Sequence, residues 1–302
     1  MRTPRKIAVV AHQRKTLGGG LDELRRLITD EGVDELDWHE VPKSRKAPKQ
    51  VRKALAGEPD LLIVWGGDGM VQRSLDALAG TKGGAKVPVG IIPAGTANLL
   101  ATNLGIPHDL HEAVRIAFHG ARHKLDLGIL NGEHFAVMAG IGFDGAMIQD
   151  ADGKLKDRLG KLSYVWTGLR HLDGPAPKAK IKVDGTSWFS DDASCVLVGN
   201  VSKVTGGIKA FDDAKPDDGW LDVGVATARN AADWARTMSR MAVGRSENSP
   251  FVHMTRARRI DVRLAEPLTY ELDGGAREAV KRIRIDVAPA AVKVCVPEER
   301  IG

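Results

Sequence analysis

Cysteines and aromatic residues are scarce in this chain of 302 residues: it has two cysteines, two tyrosines and an aromatic share of 5%. Cys195 and Cys295 each sit in an apolar alternating run, so both read as buried free thiols rather than a disulfide or a metal site. Long apolar runs are missing too. None approaches the ~18–20 residues that a membrane span needs. The start MRTPRKIAVV leads directly into a strand-like run, so no signal peptide is expected and a cytoplasmic location is. The chain has no Walker A lysine motif and no G-x-G-x-x-G, so any nucleotide site must be built another way. Zinc-finger spacing, a basic coiled coil and an RNA-binding signature are absent, which removes nucleic acid as an expected partner. Ser194 lacks a G-x-S-x-G context, so a hydrolase triad has no support.

The chain does have the composition of a soluble globular protein, 43% hydrophobic and 27% charged. Its length suits two domains. The net charge of +5 is a mild excess that fits an anionic partner such as a nucleotide or an acidic lipid surface.

Patterning changes near residue 125. Before it, strand-like KIAVVA (6–11), LDWHEV (36–41), LLIVW (61–65) and VPVGIIP (87–93) alternate with helix-like stretches. Those helical stretches cover 21–28, 47–57, 70–79 and 96–104. Continuous apolar strands between helices predict a mostly parallel sheet covered on both faces. After residue 125 the period drops to two. KLDLGIL and EHFAVMAG flank Asn131-Gly132, and AKIKVD and TSWFS flank Asp184-Gly185; both are hairpin signals, since each turn position favours positive φ. CVLVGNV, WLDVGVA, RRIDVRL, LTYEL, RIRIDV and VKVCV continue an antiparallel β-rich half. The expected domains are 1–124, α/β, and 125–290, β-rich, with a last strand near 291–297 packing back on the first.

Chemistry concentrates where two apolar strands end. In LLIVWGGDGMVQRSLDAL, a buried strand runs into Gly66, Gly67, Asp68 and Gly69 just before a helix. Ligands of α/β sheets bind beyond the carboxyl ends of strands, and glycines there admit a ligand close to the backbone. Unpaired amides of such a turn attract phosphate. Asp68, being negative, suits Mg²⁺ on a nucleotide or a proton from an attacking hydroxyl; a tight turn whose Asp caps the helix is the alternative. GIIPAGTANLLATNLGIP repeats the plan, with Thr96 and Asn98 as candidate phosphate donors and Thr96 also as an N-cap.

GGDG followed about twenty-five residues later by P-x-G-T-x-N-x-x-A resembles the diacylglycerol kinase catalytic-domain family. That family includes bacterial lipid kinases and sphingosine kinases and is distantly similar to NAD kinases. The resemblance extends through LDLGILNGEHFAVMAGIGFDGAMI (125–148), VGNVSKVTGGIKAFDDAKPDDGWLDV (198–223) and ELDGG (271–275). It implies a nucleotide-binding α/β domain and a C-terminal antiparallel β-sandwich with the cleft between them. It also implies ATP-dependent phosphoryl transfer to a lipid alcohol such as diacylglycerol, with Mg²⁺. Gly66, Gly67, Asp68, Gly69, Thr96 and Asn98 would line the ATP site. Arg14 and Lys15, in the loop HQRKTLGGG, would stand at the family's first nucleotide loop, where His12-Gln13 replaces its Asn-Pro; a solvated basic loop is the other reading. Asp218 matches a structural metal position, for Mg²⁺ or Ca²⁺, with the carbonyls of Lys215 and Trp220; an Asp-Gly turn is the other reading.

Departures from the family bear on catalysis. Met70 stands where many relatives have Thr, Gln72-Arg73 replace Asn-Glu, and Leu99 replaces an Asp. Gly275 replaces the Glu of D-G-E, the family's proton acceptor, so either Asp68 or Asp273 takes over that role or much of the catalysis is lost. A kinase of a soluble substrate such as NAD, or a catalytically weakened nucleotide- or lipid-binding member, is the alternative to a lipid kinase. KLKDRLGKLSYVWTGLRHLDG (154–174) carries apolar residues at helical spacing with basic residues on other faces. That pattern fits a helix bordering a lipid pocket at a peripheral membrane surface, or a helix packed on the sandwich. The oligomeric state is not legible.

Overall fold

A computed structural model describes residues 4–141, 177–204, 209–242 and 249–298. The chain divides into two compact units, one of residues 1–127 with 289–302 and one of residues 128–288. No helix among the described residues is long and apolar enough to cross a membrane.

In the first unit, β1 (Lys6–His12), β2 (Glu35–Val41), β3 (Leu61–Gly66) and β4 (Pro88–Pro93) pair in the order β2–β1–β3–β4, all parallel. The apolar runs explain why. Every residue of β3 is buried, as a strand covered by helices on both faces must be. Helices α1 (Gly20–Asp30), α2 (Ala47–Ala56), α3 (Asp68–Ala79), α4 (Leu99–Asn103) and α5 (Leu110–His119) follow the strands. Each buries one stripe, such as Leu24 and Ile28 of α1. Pro48 opens α2, where its missing N–H costs nothing, and the Asp109 side chain caps α5 by accepting the Glu112 N–H. The chain's last strand, β14 (Gly275–Val296), adds Lys293 and Val294 in parallel beside Pro88 and Val89 of β4. Register places Ala11 opposite Trp65, and Gly66 opposite Pro93. The loops that leave β1, β3 and β4 therefore emerge at one end of the sheet.

Antiparallel pairing makes the second unit. Its strands are the end of β5 (Ala121–Leu130), then β6 (Glu133–Phe135), β7 (Met138–Ile141), β8 (Lys178–Val183), β9 (Thr186–Asp192) and β10 (Cys195–Gly199). After these come β11 (Leu221–Ala226), helix α6 (Ala231–Ala242), β12 (Val252–Ala257), β13 (Arg259–Leu272) and the first part of β14. One layer runs β12–β11–β10–β7–β13. The other runs β9–β8–β13–β14. Long β13 joins the layers, with register shifts between Arg263 and Tyr270 where it changes partners. Val196, Val198, Val223 and Leu272 from one layer meet Ile181, Ile260, Val262 and Ile283 from the other in a single core. The turns at Asn131-Gly132 and Asp184-Gly185 have positive φ at both positions, as expected of type I′ hairpins; Asp273-Gly274 is a third.

Candidate functional site

Parallel neighbours β3 and β4 bring their two turns into contact. The closeness requires glycine: a Cβ on Gly95 would lie 2.4 Å from the Gly67 Cα and 2.6 Å from the Asn98 Oδ1. Gly67 caps α3, and its carbonyl accepts the N–H of Met70 and of Val71. Asp68 is the first residue of the helix, and its carboxylate reaches across to the second turn. There it accepts the Asn98 N–H at 2.9 Å and the Leu99 N–H at 2.5 Å. Burial raises the Asp68 pKa from its ordinary value, while the backbone amides of Leu99, Asn98, Asp68 and Leu100 pull it back. The carboxylate thus ties the two turns together and leaves negative charge at their junction.

Asn98 has a different job from the one its motif suggested. Its Oδ1 accepts the Gly95 N–H, and its Nδ2 donates to the carbonyls of Pro93 and Gly95. Both side-chain hydrogens are spent bracing the turn, and the residue is 8% exposed with φ 48°. Thr96 is exposed in the same turn. It is not the helix cap expected of it, because α4 starts at Leu99 and Asn98 holds the capping position.

Arg14 and Lys15 leave the end of β1. The Lys15 N–H donates to the His12 carbonyl and its own carbonyl accepts the Trp65 indole N–H at 3.1 Å, so this loop is fastened to β3. The Arg14 N–H donates to His12 Nδ1, and the Arg14 side chain is exposed. His12 has its pKa lowered by burial first and then by Lys15 and Arg14. Gly66, Gly67, Asp68, Gly69, Thr96, Asn98, Arg14 and Lys15 therefore all lie at one end of the parallel sheet, and backbone N–H groups surround the Asp68 carboxylate there.

The other candidates belong to the second unit. Asp273, 4% exposed, accepts the N–H groups of Ala136, Val137 and Met138 at 2.8–2.9 Å. Its two oxygens hold the segment that leads into β7. Gly275 has the Arg277 guanidinium in the place a side chain would take, 2.8 Å from an ideal Cβ. Arg277 is held there by Glu133 and by the carbonyls of Gly275 and Ala276.

Sequence patterning overlooked Glu271. It stands opposite Gly140 in β7, whose missing side chain leaves space that Glu271 Oε1 approaches. Burial and the neighbouring Asp273 push its pKa up to about 7. The available signal was a carboxylate inside an otherwise apolar alternating run, LTYEL, two residues before the Asp273-Gly274 turn.

At Asp218, Oδ1 accepts the Trp220 N–H at 3.0 Å, while Oδ2 pairs with the Arg256 guanidinium. Arg256 also approaches Asp222, whose pKa rises to about 6 through burial, with Asp218 and Asp213 adding repulsion. No cluster of three or more metal-ligating side chains occurs among the described residues. A cation held by Asp218 with the Lys215 and Trp220 carbonyls would compete with Arg256 for the Asp218 Oδ2. The helix-like segment 154–174 and the Gly206-Gly207 piece lie outside the described residues.

Residues 13–130 match the diacylglycerol kinase catalytic domain, and residues 136–296 match the YegS C-terminal NAD kinase beta sandwich-like domain. A probable lipid kinase YegS-like of Pectobacterium atrosepticum is 31% identical over 93% of each chain. A diacylglycerol kinase of Bacillus subtilis is 30% identical over 80% of this chain and 79% of its own. Among solved structures, one described as a diacylglycerol kinase from Bacillus anthracis superposes with a TM-score of 0.81 at 23% identity, covering 100% of both chains. Yeast NADH kinase complexed with NADH reaches 0.52 at 12% identity over 98% of this chain and 84% of its own, a likeness of fold.

Proposed function

This chain belongs to the lipid kinase family built on the diacylglycerol kinase catalytic domain, and from that premise we propose that it transfers the γ-phosphoryl group of ATP to the hydroxyl of a diacylglycerol or a related lipid alcohol. The observation that carries the reading is the pair of turns after β3 and β4, held together by Asp68 and by the glycine contact.

Phosphoryl transfer needs alignment and charge neutralisation more than covalent help. Backbone amides at the two turns take the phosphates of MgATP, and Arg14 and Lys15 add positive charge from the first loop. The lipid oxygen attacks the γ-phosphorus, the bond to the β,γ-bridging oxygen breaks, and ADP leaves. The hydroxyl proton passes to a carboxylate and then to solvent, a step worth roughly 10²–10⁴-fold in rate. Asp68 is the essential carboxylate: it keeps the turns in register and its burial favours proton uptake. Asp273 works by ordering residues 136–138 through its three amide bonds. The lipid reaches the enzyme from a membrane surface.

The test is purified protein with labelled ATP and a panel of lipid alcohols beside NAD. Label in a lipid is the expected result. Label in NAD alone assigns a soluble substrate, and ATP binding with no turnover on any acceptor removes the kinase reading.

A further inference from the structure

We propose that the outward face of β8, β13 and β14 in the second unit docks this protein on an anionic bilayer surface. The lipid kinase reading supplies the reason for a bilayer; the face itself follows from strand register and charge.

Alternation splits these strands cleanly. Ala179, Ile181, Ile260, Val262, Ile283 and Ile285 point into the core. Lys178, Lys180, Lys182, Arg263, Arg282 and Arg284 are exposed on the opposite side. Register sets Lys180, Arg263 and Arg282 in one row across three strands, and Lys182, Asp261 and Arg284 in the next. Like charges directly opposite one another destabilise a sheet. A three-strand row of cations therefore works against the fold that carries it, unless an external anion neutralises the row.

Acidic residues do not cancel the excess. Asp261 bonds Arg282 at 2.8 Å and lies 3.9 Å from Arg284. Asp286 is used by Arg259 at 2.7 Å. Asp192, opposite Lys178, pairs with Arg229. Beside the cations lies a groove of about 350 Å³ lined by Ile129, Asn131, Gly132, Arg282, Arg284 and Asp286, the last already paired with Arg259. Phosphates of acidic headgroups match the charge of the row, and Arg282 and Arg284 carry that charge to the rim of the groove. Neither of the two rows holds an aromatic side chain, the usual platform for nucleic-acid bases. Long Lys and Arg stems standing on one sheet face bring their charged heads to a common plane, which suits a flat interface.

The experiment compares wild type with a variant carrying Lys180→Gln, Lys182→Gln and Arg263→Gln. A control carries Lys49→Gln, Arg52→Gln and Lys53→Gln, three exposed cations on α2. Each protein is sedimented with vesicles of phosphatidylglycerol in phosphatidylcholine, at low and high salt. Each is also assayed on a short-chain diacylglycerol dissolved as monomers. Wild type and control should bind the vesicles, and salt should weaken that binding. The face variant should bind on the order of 100-fold more weakly, from about one fivefold factor per cation. All three should phosphorylate the monomeric substrate equally. Equal vesicle binding by the face variant, or an equal loss in the control, overturns the proposal. So does RNA binding as tight as vesicle binding and lost in the same variant. If wild type labels no lipid in either form, the kinase reading fails, while the vesicle measurement still decides the docking face.

Discussion

Replacing Asp68 by Asn tests whether the carboxylate holds the nucleotide turns together. In the native arrangement two backbone N–H groups from the second turn end on Asp68 oxygens, at 2.9 and 2.5 Å. Asn keeps one acceptor oxygen and sets an N–H₂ against the other amide. A hydrogen bond to a charged group contributes about 1.5–3 kcal/mol, and a buried donor left unpaired costs about 1–3 kcal/mol. Relief of the buried charge, visible in the raised Asp68 pKa, returns part of that. A net local loss of about 2 kcal/mol follows, which speeds exchange of the Asn98 and Leu99 amides roughly 30-fold. Hydrogen exchange read by NMR on wild type and variant measures it directly. ATP affinity should fall in parallel, because the turns that grip the phosphates open together. Unchanged exchange at Asn98 and Leu99 together with lost turnover would refute the reasoning, for the carboxylate would then act on the reacting atoms alone.

Three further outcomes follow from the second unit. Asp273→Asn leaves at least one of the amides of residues 136–138 unpaired and should lower stability by about 2–4 kcal/mol, read from urea unfolding; an unchanged midpoint contradicts it. Glu271 is held protonated, its pKa raised from 4.5 to about 7, so the folded chain keeps a proton that the unfolded chain has lost over that range. Its stability contribution is complete below pH 4.5 and disappears as the pH climbs through 7, on the order of 3 kcal/mol. Glu271→Gln should flatten that slope in a pH series of urea midpoints, and an identical slope in the variant rejects the assignment. Gly275→Glu alone should change the rate little, because the Arg277 guanidinium fills the site and would pair with the new carboxylate. With Arg277→Gln added, a gain approaching 10²-fold in kcat is expected if a proton acceptor is what Gly275 removed. Steady-state kinetics with no gain in the double variant would show that the role has moved elsewhere.

Much of this protein is written in local sequence. The apolar runs at 6–12 and 61–66 announce strands buried on both faces, because a parallel sheet covered by helices leaves no polar side. Asn131-Gly132 and Asp184-Gly185 announce their turns, since a two-residue hairpin needs φ values those residues adopt cheaply. GGDG and PAGTAN mark the chemistry by their place at strand ends.

What those motifs do with their side chains was decided only by the tertiary structure. Asn98 turned inward because three backbone groups of its own turn lacked partners, and no composition rule distinguishes that from a side chain facing solvent. Asp273 found its three amides well over a hundred residues away in sequence. Glu271 acquired its shifted proton affinity from burial, which β13 pairing with β7 imposes. The cation row across Lys180, Arg263 and Arg282 exists only because three distant strands share one register. Periodicity is a property of neighbours in the chain, so sequence alone determined the elements and the motif positions. Registers, hydrogen-bond partners and proton affinities are set by which distant groups exclude water from one another, and that is settled when the chain folds.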